Sequence, residues 1–126
     1  MQRKYAGIGA IVMLLAVSLG AFGAHILEPV IGESAIRTYE TGVHYQMIHG
    51  IAIILVALSA GLWGESRQLQ WANRLFLIGI VLFSGSLYGL AALDWTWLGP
   101  VTPLGGISFI AGWLLLALTV WRNKEK

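Results

Sequence analysis

Four stretches almost free of charge, Tyr5 to Leu27, Met47 to Trp63, Leu75 to Leu93 and Val101 to Trp121, take up most of this chain. An α-helix rises about 1.5 Å per residue, so about 20 residues cross a hydrocarbon core about 30 Å thick. Four crossings use nearly all of the 126 residues and leave no room among them for a separate soluble domain. Hydrophobic residues make up 57% of the chain and charged ones 11%, with a mean hydropathy of +0.74, which is far from an ordinary soluble domain. The expected fold is all-α: a single polytopic domain over residues 1–126, a compact bundle of four transmembrane helices spanning about 5–27, 43–63, 72–93 and 102–121.

The charges orient the bundle. Arg3, Lys4, Arg67, Arg74, Arg122, Lys124 and Lys126 fall at the two ends of the chain and in the second loop, and Arg37 alone falls in the first or third loop. Cytoplasmic segments carry the excess of Lys and Arg, so both termini and the middle loop are expected in the cytoplasm. The net charge of +2 is then a topology signal and gives no footprint for nucleic acid. The first apolar run is too long for a signal peptide and reads as an uncleaved span. The chain has no cysteine, so disulfides, thiolate metal sites and cysteine nucleophiles are excluded.

The second span begins ambiguously. Pro29 and Gly32 act as breakers, and Ser34 is a plausible N-cap. A helix from there to Trp63 would be roughly 45 Å long, half as long again as the bilayer core. Either a short interfacial helix, about Ser34 to Thr41, meets the span at a break near Gly42, or the helix protrudes. Trp63, Trp71 and Arg74 read as interfacial anchors, and the turn from Asp94 to Pro103 places Trp95 and Trp97 at belt depth. The fourth helix is expected to start around Pro103. Small residues mark close helix packing: Ala16, Gly20 and Ala24 in the first span, Gly42 in the second, Gly85 and Gly89 in GxxxG spacing in the third, and Gly105 and Gly106 in the fourth.

Chemistry concentrates where Thr38 to Gly50 carries polar groups into an apolar run. On a helical wheel Thr41, Gly42, Tyr45, Gln46 and His49 share a sector of roughly 140°, while His44 points away. His25 ends the first span at the same level, so all three histidines lie toward the outer leaflet. His25, Thr41, Tyr45, Gln46, His49, Ser84, Ser86, Tyr88 and Thr102 are therefore the candidate lining of a polar pocket between helices. The plainer reading gives each of them to helix packing, with hydroxyls bonded back to their own helix. His44 and His49 are spaced wrongly to chelate one ion. A cross-helix pair of His25 with His49 is the one remaining route to a metal or haem, and no ligand motif supports it, so neither a metal nor a cofactor is expected.

Four segments carry a family resemblance: Leu19-Gly-Ala-Phe-Gly-Ala-His25, Thr41-Gly-x-x-Tyr-Gln-x-x-His49, Leu82-Phe-Ser-Gly-Ser-Leu-Tyr88 and Val101-Thr-Pro-Leu-Gly-Gly-x-Ser-Phe-x-Ala-Gly-Trp113. In this order they resemble the YgdD-type bacterial inner-membrane family, a family of unknown function to which the eukaryotic transmembrane protein 256 group is similar. The resemblance covers essentially the whole length. It implies four spans in a bacterial cytoplasmic membrane, and it brings no substrate or catalytic residue with it.

No nucleophile elbow, P-loop, zincin or dinucleotide motif is present, so an enzyme is not expected. Two classes remain. The first is a structural or accessory protein that docks on itself or on a larger membrane complex, with membrane lipid as its surroundings. The alternative is a binding or permeation module for a small solute, ion or lipid headgroup.

Overall fold

A computed structural model describes residues 2–124 of the chain, and side chains from residue 3 to residue 122. Of the basic residues used above, Lys126 and the side chain of Lys124 lie outside the described part. Among the described residues all regular structure is helical. Four helices are long and apolar enough to cross a membrane: Arg3–Ile31, Glu33–Trp63, Arg67–Ala92 and Thr96–Arg122.

The first helix is regular from Gln2 to Phe22 and continues through a wide π-turn, Gly23–Leu27, into Glu28–Ile31. Pro29 is the reason. Its ring would strike the carbonyl of His25 four residues earlier, and it has no N–H to donate. The helix answers by widening, with the Glu28 N–H bonded to Gly23 O five residues back. Pro29 is thus no breaker, and the chain turns at Gly32, whose φ of 90° suits glycine.

The second helix starts at Glu33 with Gly32 as its N-cap, so Ser34 does not cap it. It runs unbroken to Trp63 over 31 residues, and the segment Ser34 to Thr41 forms its first turns instead of a separate interfacial helix. Gly42 causes no break because it is packed against the Tyr88 ring, where it serves contact. Gly64, at φ 91°, ends the helix. Ser66 then caps the third, its side chain accepting the Leu69 N–H at 3.2 Å. The third helix holds a second π-turn at Ile80–Ser84, closed by the Gly85 N–H on Ile80 O. After Asp94, in a left-handed turn at φ 56°, a short 3₁₀ segment Thr96–Leu98 leads to a final helix that begins at Val101. Pro103 falls in its first turn, where the N–H has no intrahelical partner anyway.

The second helix is the centre of the bundle. Ile36, Tyr39, Val43, Gln46, Gly50, Ile53, Ala57 and Ala60 are all buried, in alternating steps of three and four. That is the seam of near-parallel helix packing, in which side chains of one helix enter gaps of the next. The first helix lies along it antiparallel, with Gly9 against Ile54 and Gly50, Gly20 against Val43, and Gly23 against the Tyr39 ring. Ala16 is fully buried, whereas Ala24 is exposed and lies outside the small-residue seam expected for it.

The third and fourth helices join by reciprocal contacts. Gly112 receives the Phe76 ring, Gly79 receives the Phe109 ring, and Gly105 abuts the backbone of Phe83 so closely that an added Cβ would lie 2.4 Å from Phe83 N. Gly85 and Gly106 face open space, so neither is a packing glycine, and Gly89 packs on Leu98 of the following turn rather than on another helix. At the end carrying the N-terminus and the Ser66 turn, Arg74 lies over the Trp71 ring at 5.0 Å.

Candidate functional site

The face predicted to be polar is polar, but its residues do not line one pocket. Among the described residues they pair off into local bonds that hold helix to helix. Gln46 Nε2 donates to Val12 O at 3.0 Å, and its Oε1 accepts the Tyr88 hydroxyl at 2.5 Å, tying the first and third helices to the second. Tyr39 donates to Leu19 O at 2.6 Å. Ser84, fully buried at the π-turn, donates to Gly42 O at 2.6 Å. Ser86 meets Thr102 hydroxyl to hydroxyl, joining the third helix to the start of the fourth. Ser108 and Thr119 of the fourth helix donate to Leu75 O and to Gln68 Oε1 of the third.

Three candidates leave the group, the first being Tyr45, which is exposed and whose hydroxyl joins no other helix among the described residues. Thr41 is exposed and bonds back to Arg37 O on its own helix. His25 is exposed on the π-turn of the first helix. His44 is exposed as well, as its place on the wheel predicts.

His49 is 3% exposed and makes the densest set of contacts. Its Nδ1 lies 2.7 Å from Tyr45 O, and Trp113 Nε1 donates to its Nε2 at 3.0 Å. An indole nitrogen is a donor only, so Nε2 must accept and the proton must sit on Nδ1. The imidazole is therefore held as one neutral tautomer, flat against Phe109 at 3.6 Å between ring centres, with Phe76 and Trp113 at its edges. With both nitrogens bonded within the bundle, His49 has no lone pair left for a metal or a haem. The pair with exposed His25 fails for this reason, and among the described residues no three His, Cys, Asp or Glu side chains gather to hold an ion.

Among the hollows on the bundle's flank, two adjoin candidate residues. One, of about 380 Å³, lies under Trp95 and Leu98 with the rings of Tyr39 and Tyr88 beside it. The hydroxyls of both tyrosines are engaged elsewhere, so this groove is hydrocarbon in character. The other, of about 280 Å³, is walled by Tyr45, His49, Phe83, Phe109, Ile110 and Trp113, with Gly106 at its edge.

Sequence reasoning missed Trp113, Phe109 and Phe76, which surround His49, and it missed Asn73. The Asn73 side chain is fully buried, and neither its Nδ2 nor its Oδ1 has a hydrogen-bond partner among the described residues. The signal for the first group was present in the fourth helix, where Gly105, Ser108, Gly112 and Thr119 repeat in heptad steps and fix which side faces the third. For Asn73 an asparagine inside an apolar helix was the only signal.

Compared with known proteins, residues 19–106 match the profile of a family described as "Protein of unknown function (DUF423)". The chain belongs to this family. It is 44% identical over 111 residues to the UPF0382 membrane protein YwdK of Bacillus subtilis, covering 88% of this chain and 90% of that one. It is 40% identical over 125 residues to a UPF0382 membrane protein of Haemophilus influenzae, covering 99% of each. To the UPF0382 inner membrane protein YgdD of Escherichia coli it is 39% identical over 121 residues, 93% of this chain and 88% of the relative. No solved structure matches it. The DUF423 match covers three of the four segments that carried the resemblance and the start of the fourth. The chain is thus an integral membrane protein of a family of unknown function, and nothing in these relatives' names points to catalysis.

Proposed function

We propose that this DUF423 protein is a structural or accessory component of the bacterial cytoplasmic membrane, not an enzyme, and that it acts by docking on copies of itself or on a larger membrane complex. The observation that carries this reading is the use of its polar groups. Gln46, His49, Ser84, Ser86, Tyr88 and Thr102 are all engaged in bonds that fasten the bundle. A permeation path or an acid–base site needs polar groups that converge on a substrate, and these converge on one another. The first helix adds docking area, because it buries one narrow stripe and leaves Ile11, Leu14, Leu15, Val17 and Phe22 outward. A photo-crosslinking residue at Leu14 in native membranes is expected to yield a discrete adduct of the chain with itself or with a membrane protein. Recovery of monomer alone from Leu14, Leu15 and Val17 would overturn the proposal.

Both termini are proposed to be cytoplasmic, on the strength of the basic residues beside the Ser66 turn and the chain ends. The chain has no cysteine, so single replacements report cleanly. A membrane-impermeant maleimide added to intact cells is expected to label Ser34→Cys and spare Glu65→Cys, and the reverse pattern would invert the topology.

A further inference from the structure

The hollow beside His49 combines three features, the last of which the groove under Trp95 lacks. Its wall is aromatic, with Tyr45 and Phe83 rings 4.5 Å apart and Phe83 and Phe109 rings 5.6 Å apart. Gly106 borders it with nothing within 4 Å of where a Cβ would stand. Tyr45, 40% exposed, lines it while its hydroxyl meets no partner among the described residues. The π-turn at Ile80–Ser84 carries Phe83 in this wall, and such turns are frequent at binding sites.

Depth decides what the hollow meets. Counted back from Trp63, about 20 residues of helix cover the hydrocarbon core and end near Val43. Tyr45 thus sits within one turn of the boundary at the Gly32 end of the bundle. Helical side chains lean toward the N-terminus of their helix, which sends this hydroxyl toward the boundary, where the ester groups of lipids lie. From there Gly106, Ile110 and Trp113 descend along one side of the fourth helix by about 10 Å. Because its walls belong to spanning helices, the open side of the hollow faces lipid.

We infer that this hollow is a binding site for one acyl chain of a glycerophospholipid, the chain lying over Gly106 toward Trp113 and the Tyr45 hydroxyl donating to its ester carbonyl. An orphan hydroxyl at ester depth obtains an acceptor, and a bare helix flank obtains the contact that a side chain would otherwise give. His49 serves the site by fixing Phe109 and Trp113 in its wall.

The full-length protein, delipidated in detergent and titrated with phosphatidylethanolamine, is expected to show one saturable lipid by native mass spectrometry. Gly106→Leu, which fills the hollow where nothing stands, should weaken binding at least tenfold without lowering thermal stability. Should that variant fold poorly, Ile110→Trp narrows the hollow from the same helix and is expected to weaken binding likewise. Tyr45→Phe should weaken binding several-fold, the range of one hydrogen bond. The diether analogue, which has no ester carbonyl, should bind the wild type several-fold less well and bind Tyr45→Phe no differently from the diester. Gly85→Leu, at an open glycine that borders the groove under Trp95, should bind as the wild type does. Lipid uptake that is unsaturable, or undiminished by both Gly106→Leu and Ile110→Trp, overturns the site. Equal affinity of the wild type for diester and diether overturns the role of Tyr45.

Discussion

At the scale of single residues, burial in this protein is governed by partners. His49 stays in an apolar centre because both ring nitrogens are bonded, and the arrangement tolerates one tautomer only. Nitrogen-15 spectra of the imidazole are expected to show Nδ1 protonated and Nε2 bare. Trp113→Phe keeps the ring and removes its N–H, so it should destabilise by about 0.6–1.7 kcal/mol in reversible unfolding, the range of hydrogen bonds between membrane helices. Asn73 is the opposite case. Its carboxamide is buried with no partner among the described residues, and replacing an unbonded polar group by an apolar one of similar size removes a penalty of about 1–3 kcal/mol. Asn73→Leu is therefore expected to raise stability, read as a higher melting temperature in detergent. A fall would show that the amide has a partner inside the membrane.

At the scale of elements, the sequence shows which side of a helix packs more readily than what it packs against. The heptad steps from Ile36 to Ala60 can be read directly, and they give the seam of the central helix. The π-turn before Pro29 follows from that proline. Nothing local to Ile80–Ser84 calls for a wide turn, which lies where Gly105 of the fourth helix comes up against the backbone of Phe83. The GxxxG of Gly85 and Gly89 misleads for a related reason. Spacing puts both on one flank, yet one meets Leu98 and the other meets open space, which only the path of the Asp94 turn decides. That Thr38 to Gly50 carries polar groups into an apolar run was legible, and their pairing was not, since the partners of Gln46 and His49 come from helices whose register is tertiary. Adjacent glycines sharpen the point. Gly105→Ala drives a Cβ into backbone and should cost about 1–3 kcal/mol, while Gly106→Ala meets nothing and should be neutral or stabilising by up to about 1 kcal/mol. Paired melting curves check both.

At the scale of the whole molecule, the bundle is two hairpins sewn together by the second helix. The first hairpin is closed by Tyr39 and Gln46 on carbonyls of the first helix, and the second by Ser86, Ser108 and Thr119 with the fourth. Between the hairpins run the bonds from Ser84 to Gly42, Tyr88 to Gln46 and Trp113 to His49. Residues 1–64 and 65–126 made as separate chains are thus expected to co-purify from the membrane, and Gln46→Leu should weaken that association more than Thr119→Val does. Failure of the halves to associate would show that the Ser66 turn holds them together.

The wide turn that carries the first helix past Pro29 has one more outcome. A membrane helix whose ladder is already loosened near its Gly32 end is easier to bend there than at any regular turn. Pulling on the Gly32 end, whether by a docked protein or by a thickening bilayer, would therefore flex the last two turns of that helix and leave the bundle beneath them unmoved.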